Sequence, residues 1–347
     1  MASLSQLKFA MATSIFLSAF IFGLFVFVIV YFLQLEVFTG LLVALGGSAL
    51  FILFQYAVGP AIVAATTKLQ YVKSGESPWL EAAVKELADK SGIPMPRLAI
   101  VPNNTPNAFT FGRTSSSATL AVHEGLLKQL NEAEIKGVIA HELGHIKHKD
   151  YIVMTVLSTL PLIAYLIAQA SLYAGAFSGG RRNSKDNSGA ALIIIGVISF
   201  AVYIITFLIV MRLSRLREHF ADAYSAYVTG SPRELESALA KITYGLSISP
   251  KPPEGARAFY IEDPAMAKQE VQHIMDNKDQ YDLDHDGVLD ERELQLAMEK
   301  ESKSTWVQMN SLFATHPPTF KRILLLKEIE QEMDTGKYSN DKMYTHV

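Results

Sequence analysis

Four stretches of this chain hold no charged residue: Phe9 to Leu35, Val37 to Thr67, Tyr151 to Gly180 and Asn187 to Met211, which are 27, 31, 30 and 25 residues long. No other feature narrows the possible folds so far. A helix crossing a bilayer needs about 20 predominantly apolar residues and satisfies its own backbone N–H and C=O groups, so each stretch predicts a membrane-spanning helix. Buried helices of water-soluble domains are mostly shorter and keep a polar edge. The first stretch is also longer than the apolar part of a signal peptide and reads as a retained anchor.

The stretches pair into two hairpins, one around Glu36 and one around Arg181 to Asp186. Four crossings put 68–150 and 212–347 on one side. Lys8, Lys68, Lys73, Lys147, Lys149, Arg212, Arg215 and Arg217 flank the membrane there, against Arg181, Arg182 and Lys185 opposite, which predicts a cytoplasmic location for the soluble part. The expected organisation is a transmembrane hairpin over 1–67, a first soluble segment over 68–150, a second hairpin over 151–211 and a second soluble segment over 212–347. The net charge of −3 excludes the basic excess of a nucleic-acid binder. With no cysteine, disulfides, thiolate-bound zinc, iron–sulfur clusters and a cysteine nucleophile are all excluded.

The first soluble segment reads as α+β. Ser77-Pro78 opens an amphipathic helix with Leu80, Val84 and Leu87 on one face, and Gly92-Ile93-Pro94 closes it. Leu98 to Val101, Asn107 to Gly112 and Ala118 to Val122 are strands, the last two joined by the polar turn Arg113 to Ser117. Asn131 and Glu134 have the spacing of a capping box, which predicts a helix from about Glu132 with Ile135, Val138, Ile139 and Ile146 on its apolar side.

That helix carries His141-Glu142-Leu143-Gly144-His145. Residues four apart share a helical face, so both imidazoles can grip one metal ion; zinc accepts this geometry and leaves room for a third protein ligand and a water. Glu142 then stands beside the metal as a general base. The metzincin extension is excluded, because His148 and Tyr151 occupy positions that would have to be glycine and histidine. Between Asp150 and Glu218 the sole acidic residue is Asp186, on the opposite side of the membrane. Glu218, just beyond the fourth apolar stretch, is therefore the expected third ligand, with Asp222 one turn on as the partner of a ligand histidine. His148 and His219 are expected as exposed neighbours.

Together, the zinc-binding pattern after two apolar spans, a second hairpin and Ser214-Arg215-Leu216-Arg217-Glu218-His219-Phe220-Ala221-Asp222 resemble the HtpX membrane metalloproteases of the M48-type gluzincin group. Asn107-Ala108-Phe109 and Thr315-His316-Pro317-Pro318 with Arg322 match as well, and the resemblance covers roughly 1–260 and 305–330. It implies an α-helical membrane protein with a cytoplasmic zincin-like α+β metalloprotease domain. It further implies one zinc ion on His141, His145 and Glu218, with Glu142 as base, acting on misfolded or damaged membrane proteins. Asn107, Ala108 and Phe109 are then expected on a sheet edge that takes an extended substrate. His316 is either an oxyanion donor or a structural turn histidine. Arg215 and Arg322 either pair with an acidic residue or meet lipid headgroups.

One segment departs from that family. Asp282-Leu283-Asp284-His285-Asp286-Gly287-Val288-Leu289-Asp290-Glu291-Arg292-Glu293 fits an EF-hand loop, with Asp282, Asp284, Asp286, Asp290 and Glu293 offering side-chain oxygens, Val288 a carbonyl and Gly287 the sharp turn. It sits in an insertion over about 262–303. The following helix has an apolar face, whereas the polar run Asp276 to Asp279 makes the preceding helix the weaker match. Calcium that orders this insertion would tune access to the zinc cleft. The rival readings are a prenyl-protein protease of the CaaX type, a calcium-responsive membrane scaffold without activity, and a zinc transporter, whose ligands would have to lie inside the spans.

Overall fold

The computed structural model describes residues 4–32, 36–178, 188–247, 260–262, 264–286, 289, 291–336, 338 and 343–344. It contains two compact units, one of Lys8–Gly59 with Ile152–Leu213 and one of the remainder.

The first unit is built from four helices, each long and apolar enough to cross a membrane. They are α1 (Leu4–Phe32), α2 (Val37–Thr67), α6 (Asp150–Ser178) and α7 (Ser188–Thr229), whose ends extend beyond this unit. Phe22, Phe25, Val26 and Val30 of α1 pack with Ala164 and Val202, and the Thr159 hydroxyl donates to Gln55 Oε1 at 2.7 Å. Phe9, Phe16, Phe20, Leu45 and Phe177 instead point outward, an apolar surface that suits lipid and not water. Pro60 and Pro161 lie inside α2 and α6, as tolerated in spanning helices. The connection 181–186 lies outside the described residues.

The second unit has a four-stranded sheet in the order β1-β2-β4-β3, with β1 (Gln70–Tyr71), β2 (Arg97–Val101), β3 (Ala108–Phe111) and β4 (Thr119–His123). β2 and β4 are parallel; the other pairs are antiparallel. β3 therefore forms one edge of the sheet among the described residues, as expected for Asn107 onwards. Strand β1 and the short α4 (Glu124–Gln129) have no counterpart in the sequence reading. Helices α3 (Pro78–Ser91) and α5 (Glu132–His148) pack on the sheet, with Leu80, Val84, Leu87, Ile135, Val138, Ile139 and Ile146 in one core. Both ends of the capping box close: Glu134 N donates to Asn131 Oδ1 and Asn131 N to Glu134 Oε2, each at 2.9 Å. The remaining helices are α8 (Pro232–Ser247), α9 (Pro264–Asp276), α10 (Glu291–Ser302), α11 (Thr305–Ser311) and α12 (Thr319–Asp334).

Helix α7 has 42 residues and so runs about 63 Å, twice what the hydrocarbon core requires. It continues unbroken past residue 211, and its last part, from Ser214 to Thr229, belongs to the second unit.

Candidate active site

The capped, amphipathic α5 presents His141 and His145 on one face, while α7 brings Glu218 to meet them. Gly144 makes this approach possible: a Cβ there would stand 3.2 Å from the Tyr224 ring and 3.3 Å from Ala221 Cα. The Ser225 hydroxyl further ties α7 to α5 by donating to the Gly137 carbonyl at 2.7 Å.

The three expected ligands converge. His141 Nε2 lies 3.2 Å from His145 Nε2 and 3.3 Å from Glu218 Oε2; His145 Nε2 lies 3.5 Å from Glu218 Oε1. Donor atoms held about 2.0–2.2 Å from a tetrahedral zinc ion stand about 3.3–3.6 Å apart, so the spacing fits that ion. Glu218 Oε2 is buried and faces His141 Nε2, which also suits a metal-facing oxygen. The Glu142 carboxylate also lies with His141 and His145, the donor atoms of these three within 4.8 Å of one another.

The far side of each imidazole is held by a carboxylate, and each carboxylate by an arginine. His141 Nδ1 donates to Asp222 Oδ1 at 2.9 Å, and Arg322 clasps Asp222 through Nε (2.9 Å) and Nη2 (2.7 Å). His145 Nδ1 donates to Asp150 Oδ2 at 2.7 Å, and Arg217 Nε stands 2.9 Å from Asp150 Oδ1. With Nδ1 engaged by its carboxylate, each ring turns Nε2 toward the ligand point. Asp222 thus lies against His141, and Arg322, fully buried, pairs with Asp222 and does not meet lipid. Asp150 and Arg217 went unrecognised as partners. They depend on the backbone at Lys149, which ends α5 with φ 59 and sends Asp150 back over His145.

Burial works against a charged ring at His141, yet Asp222 and Glu218 carry its pKa up to about 9. Burial, reinforced by the Glu218 charge, lifts Glu142 above the usual carboxylate range, while the Thr110 hydroxyl on β3 bonds to it. A carboxylate raised in this way is better matched to proton transfer near neutral pH.

His316 is buried, its Nε2 lies 3.8 Å from Glu218 Oε1, and its Nδ1 is 2.9 Å from the Thr315 hydroxyl. Arg215 steadies the turn ahead of it by donating to the carbonyls of Leu312 and Ala314 at 3.3 and 2.9 Å. Ala108 and Phe109 are buried in β3. Asn107, also buried, accepts Ile261 N at 2.8 Å with its side chain.

Two expectations are corrected. His148 and His219 are half-buried, not exposed. The His148 ring packs against Phe220, Tyr224 and Tyr344, with Nε2 2.9 Å from the Tyr344 hydroxyl, so residues from the far end of the chain cover it. The acidic loop has a regular preceding helix, α9, followed by a short 3-10 turn at Lys278–Gln280. Asp282, Asp284 and Glu293 bring oxygens within 4.8 Å of one another, and Asp286 N donates to Asp284 Oδ1 at 3.1 Å. Gly287, Val288 and Asp290 lie outside the described residues, as does 249–254.

The sequence matches the model of peptidase family M48 over residues 74–330. "Protease HtpX homolog 2" of Methanosarcina mazei is 34% identical over 288 residues, 82% of this chain and 83% of that protein. "Protease HtpX homolog" of Aeropyrum pernix is 33% identical over 80% of this chain and 83% of its own length. The protein of the same name from Thermococcus sibiricus is 33% identical over 85% and 88%. Among solved structures, S. mikatae Ste24p overlays with a TM-score of 0.46 at 16% identity, covering 88% of this chain and 62% of that one.

Proposed function

This chain belongs to peptidase family M48 and is a metalloprotease of the HtpX type on a multi-pass membrane anchor; from that premise we propose that it is a zinc endopeptidase that cuts misfolded or damaged membrane proteins on the cytoplasmic side. His141, His145 and Glu218 hold the zinc, and the observation that carries this assignment is their mutual spacing of 3.2–3.5 Å. Zinc supplies Lewis acidity, which makes water a nucleophile at neutral pH and draws charge from a carbonyl oxygen. An extended substrate pairs with the outer edge of β3 at Asn107, Ala108 and Phe109, close to Glu142 through Thr110. Glu142 takes the proton of the attacking water as the C–O bond forms, then gives it to the amine as the C–N bond breaks. His316 donates to the oxygen on which charge develops.

Metal analysis with casein cleavage tests the assignment: Glu142→Gln keeps its zinc and loses cleavage. Cleavage by that variant at the wild-type rate would defeat it. The cytoplasmic location rests on the lysines and arginines flanking the spans. Because the chain has no cysteine, a single Lys128→Cys reports sidedness directly, and labelling from outside intact cells by an impermeant thiol reagent would reverse the orientation. Calcium on Asp282, Asp284, Asp286, Val288, Asp290 and Glu293 modulates the enzyme; the clustered oxygens of three of these residues support this part. Proteolysis and thermal stability indifferent to calcium would remove it.

A further inference from the structure

Helix α12 begins without a cap of its own. Its N-cap residue is Pro318, whose side chain has no acceptor for the exposed N–H groups of the first turn. The acceptor comes instead from α9, 49 residues away in sequence: Thr319 N stands 3.1 and 3.3 Å from the two carboxylate oxygens of Glu270. Glu270 is only 3% exposed, an expensive place for a carboxylate unless it has a task.

Thr319 lies three residues after His316, across the turn that precedes α12, and one helical turn before Arg322, the two groups that this part of the chain brings to the metal-ligand set. Residues just ahead of α9 grip Arg322 as well. Its Nη1 donates to the Ile261 carbonyl at 2.6 Å and lies 3.5 Å from Glu262 Oε2, while Ile261 N is anchored on Asn107. The leading part of the insertion therefore touches the start of α12 at two places.

We propose that Glu270 is a positioning residue for proteolysis: by capping α12 at Thr319 it fixes the His316 turn and the register of Arg322, and through Arg322 and Asp222 the orientation of His141. The inference rests on the metal-site assignment above. Displacement of α12 alters the 2.7 Å contact of Arg322 with Asp222, which in turn holds His141 at 2.9 Å. Because α9 leads into the acidic loop, Glu270 also joins that loop to the site.

The test uses the full-length, detergent-solubilised enzyme and a fluorogenic peptide. Glu270→Met keeps the volume and removes the acceptor. It lowers kcat about tenfold with KM within about twofold, since misplaced groups act on the chemical step. Zinc affinity, read by chelator competition, falls about tenfold as the outer hydrogen bonds loosen. Glu270→Gln, which still accepts through Oε1, recovers most of both losses. If Glu270→Met does not fold, Glu270→Asp, whose carboxylate is one methylene short, must show the same fall in kcat. Folded Met or Asp variants with wild-type kcat and zinc affinity, or a Gln variant as impaired as Met, overturn the proposal. Glu142→Gln in the same series separates the two readings: if it still cleaves, the metal-site assignment itself has failed.

Discussion

Arg322 is the largest side chain with no exposed surface among the described residues, and its replacement by methionine tests the electrostatics of the site. Methionine fills nearly the same volume, so the loss is not a cavity. What disappears is the two-pronged clasp on Asp222 and the bond to the Ile261 carbonyl. Asp222 is left fully buried with only His141 as partner. Removing one member of a buried ion pair costs about 3–5 kcal/mol, because the other charge is stranded. In a folded unit of this size that is a drop of about 6–20 °C in the unfolding midpoint. Asp222→Asn alone removes the guanidinium's closest countercharge but leaves it Glu262 at 3.5 Å and the Ile261 carbonyl, so it should cost less than Arg322→Met. The double variant strands neither, so its loss falls at least about 2 kcal/mol short of the sum. Its zinc affinity does not recover, since an amide holds His141 less firmly than a carboxylate. The assay is thermal unfolding of all four proteins in one detergent, with chelator competition for zinc. Strictly additive losses, or a single-variant loss below about 1 kcal/mol, would show that Arg322 and Asp222 do not act as a coupled buried pair.

The second imidazole gives a parallel case: Asp150→Asn weakens the hold on His145, and chelator competition should show zinc affinity falling about 10–100-fold. Zinc binding should also release a proton. His141 keeps its proton up to about 9, so affinity rises about tenfold per pH unit between pH 7 and 8, and calorimetry in buffers of different ionisation enthalpy counts the proton; a flat profile would contradict the grip of Asp222 and Glu218 on this ring. Away from the metal, burial pulls His123 down to about 4 despite its bond to the Thr105 carbonyl at 2.9 Å. The unfolded chain takes that proton near pH 6.5 and the folded ring refuses it until about pH 4. Stability therefore falls as pH drops through this window, by about 3 kcal/mol, and His123→Gln should flatten the midpoint-versus-pH curve there.

What could be read from the sequence was local. The uncharged stretches, the capping box at Asn131 and Glu134, the Ser77-Pro78 start and Gly92 end of α3, and the two histidines on one helical face are all short-range patterns. Each marks a helix of the structure, although the fourth stretch is only the first part of α7, which runs on to Thr229. The arginine–carboxylate pairs were less accessible because their members lie far apart: Asp222 and Arg322 are separated by 100 residues. Asp150 stood in the sequence only as the acidic residue closing the first soluble segment; its place behind His145 requires a left-handed backbone at Lys149, a residue type that does not favour one. Glu270 gave no signal at all. It sits in an ordinary amphipathic helix, and the need for it arises at Pro318, in another part of the chain.

The charges around the site explain why a divalent cation belongs there. In ionised form Glu142, Asp150, Glu218 and Asp222 supply four negative charges, against two positive ones on Arg217 and Arg322. The excess is at least two even before Glu262 is counted. It is not spread evenly, because each arginine is committed to the carboxylate behind an imidazole. Arg322 is 2.7 Å from Asp222 but 3.9 Å from Glu218, and Arg217 is 2.9 Å from Asp150. The charge that the arginines do not neutralise is therefore left on Glu142 and Glu218, the carboxylates beside the Nε2 atoms of His141 and His145. Such an arrangement would be costly in a buried site without a partner, and a proton on His141 offsets only half of it. A dication offsets all of it from one point while leaving Glu142 free to work as a base. The arginines thus do more than hold the histidines: by neutralising the outer carboxylates, they concentrate the site's net charge where the metal and the reacting water must be.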